Sequence, residues 1–229
     1  MPTPVLFCWS GGKDSCLALY KLRRDPLYEV VALLTTVTET YDRISMHGVR
    51  RVLLEQQAAA IGLPLEVVTI PPQCINAIYE TRMAETLARY KLRGVLHSAF
   101  GDIFLEDLRT YREQNLARIG MEAVFPIWKR PTDELVREFI NLRFRAVTAC
   151  VDPRVLDPSF AGREINSQFL ADLPAGVDPC GENGEFHSFV FDGPDFSAPI
   201  DFHIGEVILR DGFCFCDLLP TNSQQGERL

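Results

Sequence analysis

Ser10-Gly11-Gly12-Lys13-Asp14-Ser15 gathers two glycines, two hydroxyls, an ammonium and a carboxylate into six consecutive positions. Adjacent glycines adopt backbone conformations closed to other residues and bring bare N–H groups against a ligand. The apolar run Val5-Leu6-Phe7-Cys8-Trp9 precedes the hexapeptide, and a helical pattern opens at Cys16-Leu17-Ala18-Leu19-Tyr20. The glycines therefore lie between a strand and a helix N-terminus, where unpaired donors and the positive end of the helix dipole favour an anion. Ser10 and Ser15 add O–H donors and Lys13 adds a full charge, so the loop suits a pyrophosphate better than a lone carboxylate. Its spacing matches neither G-x-x-x-x-G-K-[ST] nor G-x-G-x-x-G, and the chain has no G-x-S-x-G elbow.

Two further stretches carry chemistry. Phe100-Gly101-Asp102-Ile103-Phe104 places a glycine and a carboxylate after an apolar strand, and Cys180-Gly181-Glu182-Asn183-Gly184-Glu185-Phe186-His187-Ser188-Phe189 packs two carboxylates and a histidine into a glycine-broken loop. Asp14 and Asp102 are candidate Mg²⁺ partners, directly or through water. Each also has a purely structural reading, Asp14 as a charge at a helix N-terminus and Asp102 as an N-cap. Glu182 or Glu185 could strip a proton from an attacking amine, or bind substrate or metal. Thr35 lies at the end of the second apolar strand, and His47, in the loop after it, could contact adenine or ribose or be an ordinary surface residue. Arg109 and Arg112 share a helix face, so their partner is either a substrate carboxylate or a neighbouring acid.

The hexapeptide resembles the pyrophosphate loop of the PP-loop ATP pyrophosphatases, which cut ATP between its α and β phosphates. Together the three stretches resemble the diphthine–ammonia ligase family, in a bacterial-type form, and the likeness takes in Phe125-Pro126-Ile127-Trp128 and Ala161-Gly162-Arg163-Glu164-Ile165. The resemblance implies an adenine nucleotide α-hydrolase fold and a ligase that adenylates a carboxylate and passes it to ammonia, releasing AMP and pyrophosphate. ATP and Mg²⁺ would be required. Carried over position by position, Ser10, Gly11, Gly12, Lys13, Asp14 and Ser15 would bind the pyrophosphate, and the rule that ligands lie at the carboxyl ends of the strands puts Thr35, His47, Gly101 and Asp102 on the same rim, in the nucleotide site. Lys13, Asp14, Glu182 and Glu185 would be catalytic, and Gly181, Glu182, Gly184 and Glu185 match the family's Gly-Glu-x-Gly-Glu motif. Where the family commonly continues with an acidic residue and a threonine, this chain has His187-Ser188. The departure touches the acceptor side, so the acceptor is described only as a carboxylate, taken to be a small molecule. The competing readings are a tRNA-thiolating PP-loop enzyme, with Cys150 and Cys180 as its sulfur pair, and a non-catalytic ATP/AMP-binding protein.

Composition narrows these choices. Only 4 of the 23 basic residues fall in residues 151–229, against 14 of the 31 acidic ones. That last third offers no basic face for RNA, so a nucleic-acid partner is disfavoured. The seven cysteines form no C-x-x-C pair. Cys8, Cys16 and Cys150 sit in apolar patterns as reduced core residues, and Cys214 and Cys216 share one face of a strand. No apolar run approaches membrane-spanning length and the N-terminus carries no basic n-region, so a soluble, cytoplasmic protein is expected. A homodimer is compatible with all of this.

The elements that must hold these residues alternate strand and helix. A helix ends near Arg23-Arg24-Asp25-Pro26, and Glu29–Thr36 is a continuous apolar strand suited to a parallel sheet. After a polar loop from Thr38 to Gly48 come a helix from Val49 to Ile61 closed by Gly62, a strand Leu65–Ile70, and a helix from Cys74 to Leu92. Strand four is Val95–Ala99, followed by a helix Leu105–Ile119, a short strand Ala123–Phe125, a helix after Pro131, and Val147–Val151 as a last parallel strand. The pattern is α/β, a Rossmann-like parallel sheet with its ligands at the carboxyl ends of the strands. From Asp152 prolines multiply and apolar runs shorten, giving a smaller α+β domain with a helix near Arg163–Leu170 and strands Phe186–Phe191, Phe202–Leu209 and Gly212–Leu219. Asp211-Gly212 marks a hairpin. The expected division is a nucleotide-binding domain over 1–151 and an acceptor domain over 152–229.

Overall fold

In a computed structural model that describes residues 1–39, 42–44, 48–72 and 74–221, alternating strands and helices build a mostly parallel sheet. Its strands are Thr3–Cys8 (β1), Tyr28–Thr38 (β2), Arg43–Ile44 (β3), Leu65–Ile70 (β4), His97–Ala99 (β5) and Glu122–Val124 (β6). The crossovers are Lys13–Leu22 (α1), Arg51–Ile61 (α2), Asn76–Leu92 (α3) and Glu106–Arg118 (α4). β1 pairs with β2 on one side and β5 on the other, β4 lies outside β2, and β6 lies outside β5. β3, a two-residue strand inside the expected polar loop, pairs antiparallel with Val37 and Thr38, past the stretch of β2 that β1 occupies. Strand order thus reverses between β1 and β5, and at such a reversal the loops leaving the two strands diverge and open a crevice.

Side-chain alternation along β1 shows how the sheet is covered. Val5 and Phe7 join a core with Leu17, Leu53 and Leu54 from α1 and α2, whereas Leu6 faces the other way, into a core with Leu87, Tyr90 and Leu116 from α3 and α4. α2 stops at Gly62, whose φ of +76° lets its N–H cap the carbonyls of Ala58 and Ala59. α1 begins at Lys13, earlier than its apolar pattern suggests, so the last residues of the glycine loop form the first turn of the helix.

A second, antiparallel sheet has the order β8-β7-β10-β9, from Arg145–Val151 (β7), Phe186–Asp192 (β8), Phe202–Arg210 (β9) and Phe213–Pro220 (β10). This corrects one expectation: Val147–Val151 is not a last parallel strand but runs antiparallel to both β8 and β10. Its apolar run is continuous because β7, inside the second sheet, is itself covered on both faces, and every residue from Ala146 to Val151 is buried. Helix Thr132–Asn141 (α5) leads into β7. A 3-10 turn over Pro158–Phe160 and a short helix Ser167–Asp172 (α6), capped by Asn166, follow it. α6 starts later than the expected Arg163, because the side chain of Asn166 takes the N–H groups of Gln168 and Phe169. Phe7, Leu17 and Leu53 share one core with Phe139, Phe189 and Val190, so the two sheets close on common side chains. Among the described residues no helix is long and apolar enough to cross a membrane.

Candidate active site

The loop after β1 is held in shape by its own side chains and by the second sheet. Gly11 has φ +74°, and a Cβ there would fall 2.5 Å from Gln57 Oε1 and 2.7 Å from Leu54 Cδ1. Ser10 and Ser15 hydroxyls meet at 2.8 Å across the loop, and the Gly12 N–H donates to Ser10 Oγ. From the second sheet, the Val190 N–H donates to the Gly11 carbonyl at 2.9 Å, and Ser188 Oγ accepts from the Lys13 N–H at 3.1 Å. Gln57, fully buried in α2, donates from Nε2 to the carbonyls of both Gly11 and Val190 and accepts from Trp9 Nε1. Among the described residues the N–H groups of Gly11, Asp14 and Ser15 have no protein acceptor, which leaves three backbone donors at the head of α1.

Gly101, at the end of β5, closes the other side. A Cβ there would lie 2.8 Å from Ser15 N and 2.9 Å from Ser15 Cα, so only a bare backbone can pack against the first turn of α1. The resulting cleft of about 490 Å³ is lined from β1, β2, α3, the loop after β5 and the 180–188 segment. That volume is in the range of small-molecule sites.

Lys13 lies inside this cleft, only 3% exposed, with Nζ donating to Asp14 Oδ2 at 2.7 Å and to the Cys180 carbonyl. Burial works against its charge, yet Asp14, Cys180 and Glu182 together outweigh burial and raise its pKa. Asp14 is raised as well, by burial ahead of the opposing pull of Lys13. Glu182 reaches across from the second unit, and its Oε1 accepts from the Ile103 N–H at 2.8 Å. Burial first, then the charge of Asp14, pushes its carboxyl up to about 7. His187 also lines the cleft, its pKa pushed down to about 4 by burial and then by Lys13.

The expected site residues divide accordingly. Ser10, Gly12, Lys13, Asp14, Ser15, Thr35, Gly101, Asp102 and Glu182 line one cleft, and Gly11 shapes it from behind. His47 lies outside the described residues. Glu185 departs from expectation: it is buried off the cleft, and its carboxylate accepts from Asp178 N, Asn183 N and Asn183 Nδ2, each at 3.0 Å. It closes its own loop and has no geometry for taking a proton from a ligand. Asp102, expected to reach Mg²⁺, has both oxygens on Arg112, whose guanidinium lies 4.4 Å from the Phe100 ring centroid. Arg109 pairs with Glu113 and stacks against Phe125 and Trp128.

These partners decide what kind of metal the cleft suits. Among the described residues no group of three or more His, Cys, Asp or Glu is placed to hold an ion. With Lys13 on Asp14 and Arg112 on Asp102, the donors do not form a protein cage. A Mg²⁺ in this cleft would be one carried in on phosphates, with Asp14 among the carboxylates beside them. A sulfur pair is not built either. Cys150 does not line the cleft and burial pushes its thiol up to about 12, while Cys180 lines the cleft with a thiol also raised by burial. Gln57 is a positioning residue that sequence reasoning missed, and Ser188, read there on the acceptor side, instead braces the phosphate loop.

Family models match most of the chain: "Diphthamide synthase N-terminal domain" over residues 3–123 and "Diphthamide synthase C-terminal domain" over residues 131–218. Similar proteins include the diphthine–ammonia ligases of Rattus norvegicus and Homo sapiens, each 25% identical over 90% of this chain and 85% of the relative. That of Schizosaccharomyces pombe is 27% identical over 89% of this chain and 37% of its own length. Among solved structures, the U34-tRNA thiolase NcsA from Methanococcus maripaludis with its [4Fe-4S] cluster aligns with 62% of this chain and 57% of its own, at 17% identity and a TM-score of 0.37.

Proposed function

The chain belongs to the diphthamide synthase family, and from that premise we propose that it is an ATP-dependent carboxylate–ammonia ligase that forms AMP and pyrophosphate. The observation that carries the reading is Lys13, a buried ammonium at the head of α1 flanked by three backbone donors without an acceptor among the described residues. Such a cluster is complementary to charge that develops on a leaving pyrophosphate.

In this reading the β and γ phosphates of ATP lie on the N–H groups of Gly11, Asp14 and Ser15 and on the Ser10 and Ser15 hydroxyls. An acceptor carboxylate oxygen attacks the α-phosphorus, the bond to the β-phosphate oxygen breaks, and Lys13 meets the charge that appears there. Asp14 keeps Lys13 ionised and aimed, and Mg²⁺, when bound, supplies further neutralisation of the phosphates. Ammonia then attacks the acyl carbon, its extra proton passes to a carboxylate, and AMP leaves with the electrons of the C–O bond. Glu182, with a pKa of about 7 beside Lys13, is matched to that proton transfer. Glu185 holds the loop that presents it. His187, kept neutral by its surroundings, and the Arg112–Asp102 pair face the acceptor. The labour divides between a nucleotide unit and an acceptor unit, with the boundary ahead of β7 because that strand belongs to the second sheet.

Products test this. ATP, ammonia and a panel of carboxylic acids incubated with the protein should yield AMP and pyrophosphate in equal amounts, dependent on the acid. Lys13→Ala should raise the barrier by about 2–4 kcal/mol, in line with other lost donors to developing charge. ADP with inorganic phosphate, or wild-type turnover without Lys13, would overturn the assignment.

A further inference from the structure

β9 ends the antiparallel sheet, and among the described residues no strand pairs with its outer edge. Its apolar side chains are unusually bare, with Ile204 50%, Val207 45%, Ile208 47% and Leu209 70% exposed. Natural sheets blunt such an edge with charge, proline or shortness, because it templates further pairing. Here the strand runs nine residues, from Phe202 to Arg210.

The register to β10 fixes which groups face outward. Val207 pairs with Cys216 and Ile204 with Leu218, so Gly205 and Glu206 bulge opposite Asp217. The bulge brings Ile204 onto the face of Val207 and Leu209, and a Cβ on Gly162 would touch both Cys216 Sγ and Ile204 Cγ2. That face continues the one on which Cys214 and Cys216 are buried. Glu206, Ile208 and Arg210 occupy the other face. In the backbone, Asp211 and Gly212 have φ of +51° and +83°, a two-residue turn flanked by the Arg210–Phe213 pair. Flanking pairs of such turns exchange both ladder bonds, so Arg210 and Ile208 turn their N–H and C=O toward β10, while those of Val207 and Leu209 point outward.

We propose that β9 pairs antiparallel with β9 of a second copy about a two-fold axis at Ile208, joining the two antiparallel sheets into one. Outward-pointing residues must meet outward-pointing residues, which opposes Val207 to Leu209 on the apolar face. The same register opposes Ile208 to Ile208 on the other face and Glu206 to Arg210 twice. A slide of one allowed step in either direction destroys this match, setting Glu206 or Arg210 against Ile208. The surface is therefore self-complementary in shape, polarity and charge, as a two-fold interface requires. Arg210 lies over the Phe215 ring, its guanidinium 4.6 Å from the centroid, and 3.8 Å from Asp211 Oδ2 of its own turn.

Sedimentation equilibrium of the full chain tests the pairing. The expected species has twice the 25.8 kDa chain mass. Glu206→Arg and Arg210→Glu, which set like charges opposite each other at both ends, should each weaken dimerisation by about tenfold or more. The two changes combined should return it to within about threefold of wild type, since each pair is remade with reversed polarity. Ile208→Cys sits at a non-hydrogen-bonded pair on the axis, where Cα atoms approach to about 4.5 Å, within disulfide reach. Mild oxidation should link that variant into dimers and leave the wild type, with its own cysteines, unlinked. A chain that stays monomeric at all concentrations, a dimer indifferent to both charge changes, or a double variant without recovery would overturn the proposal.

Discussion

Glu182→Gln should stabilise the protein at alkaline pH while damaging its chemistry. The carboxyl of Glu182 titrates near 7 in the folded chain against an ordinary 4.5, raised by burial and then by Asp14. A carboxylate raised in this way is protonated in the folded state while the unfolded chain has already released its proton. Stability is therefore lost as pH climbs from about 4.5 to about 7, and the loss is complete above that window. At about 1.4 kcal/mol per decade of pH, and allowing for screening at a side chain that keeps some solvent, ionised Glu182 costs about 2–3 kcal/mol. Glutamine retains an oxygen for the Ile103 N–H but cannot ionise. His187 acts in the opposite sense: its pKa falls from 6.5 to about 4, so it contributes stability that appears as pH rises across that interval. The two partly cancel in the wild type, which is why the variant must be compared with it at each pH. Urea unfolding should find Glu182→Gln more stable by about 2–3 kcal/mol at pH 8 and by under about 1 kcal/mol at pH 5. A gap that does not change with pH, or a variant less stable at pH 8, would refute the environment assigned to this carboxylate.

Two further outcomes follow from the geometry of the cleft. Glu185→Gln should unravel the 178–185 loop, because an amide cannot accept from all three donors that the carboxylate holds. A loss of about 1–3 kcal/mol in unfolding free energy, together with weakened ATP binding, would separate this role from that of a base, which would leave both intact. Gly101→Ala should weaken ATP binding measured by calorimetry by about 5- to 150-fold, the roughly 1–3 kcal/mol of an overpacked contact, since the new methyl meets backbone atoms of Ser15 that cannot step aside. Unchanged affinity would show that the β5 loop does not brace the phosphate loop.

Much of this site was legible because local rules agree. The glycine hexapeptide, the strand before it and the helix after it each follow from neighbouring residues, and Gly62 and Asp211-Gly212 punctuate the chain where the pattern says they should. Val147–Val151 misled because burial on both faces writes the same apolar run in parallel and antiparallel sheets. Glu182 and Glu185 lie three apart in a glycine-broken loop, and nothing local says which of them turns inward. Gln57 follows Glu55 and Gln56 on a helix and reads as solvated. Its burial is imposed by Gly11, Val190 and Trp9, whose approach no periodicity encodes.

The hydrogen bond from the Lys13 N–H to Ser188 Oγ spans 175 positions of chain. During synthesis at about 5–20 residues per second, the phosphate loop is made roughly ten to thirty-five seconds before the strand that braces it. The parallel sheet can assemble meanwhile, since its contacts lie among residues already made, but the head of α1 lacks Ser188 and Val190 until β8 emerges. The phosphate loop is therefore shaped in two stages, its glycine turn by neighbouring residues and its bracing by a strand made far later in the chain.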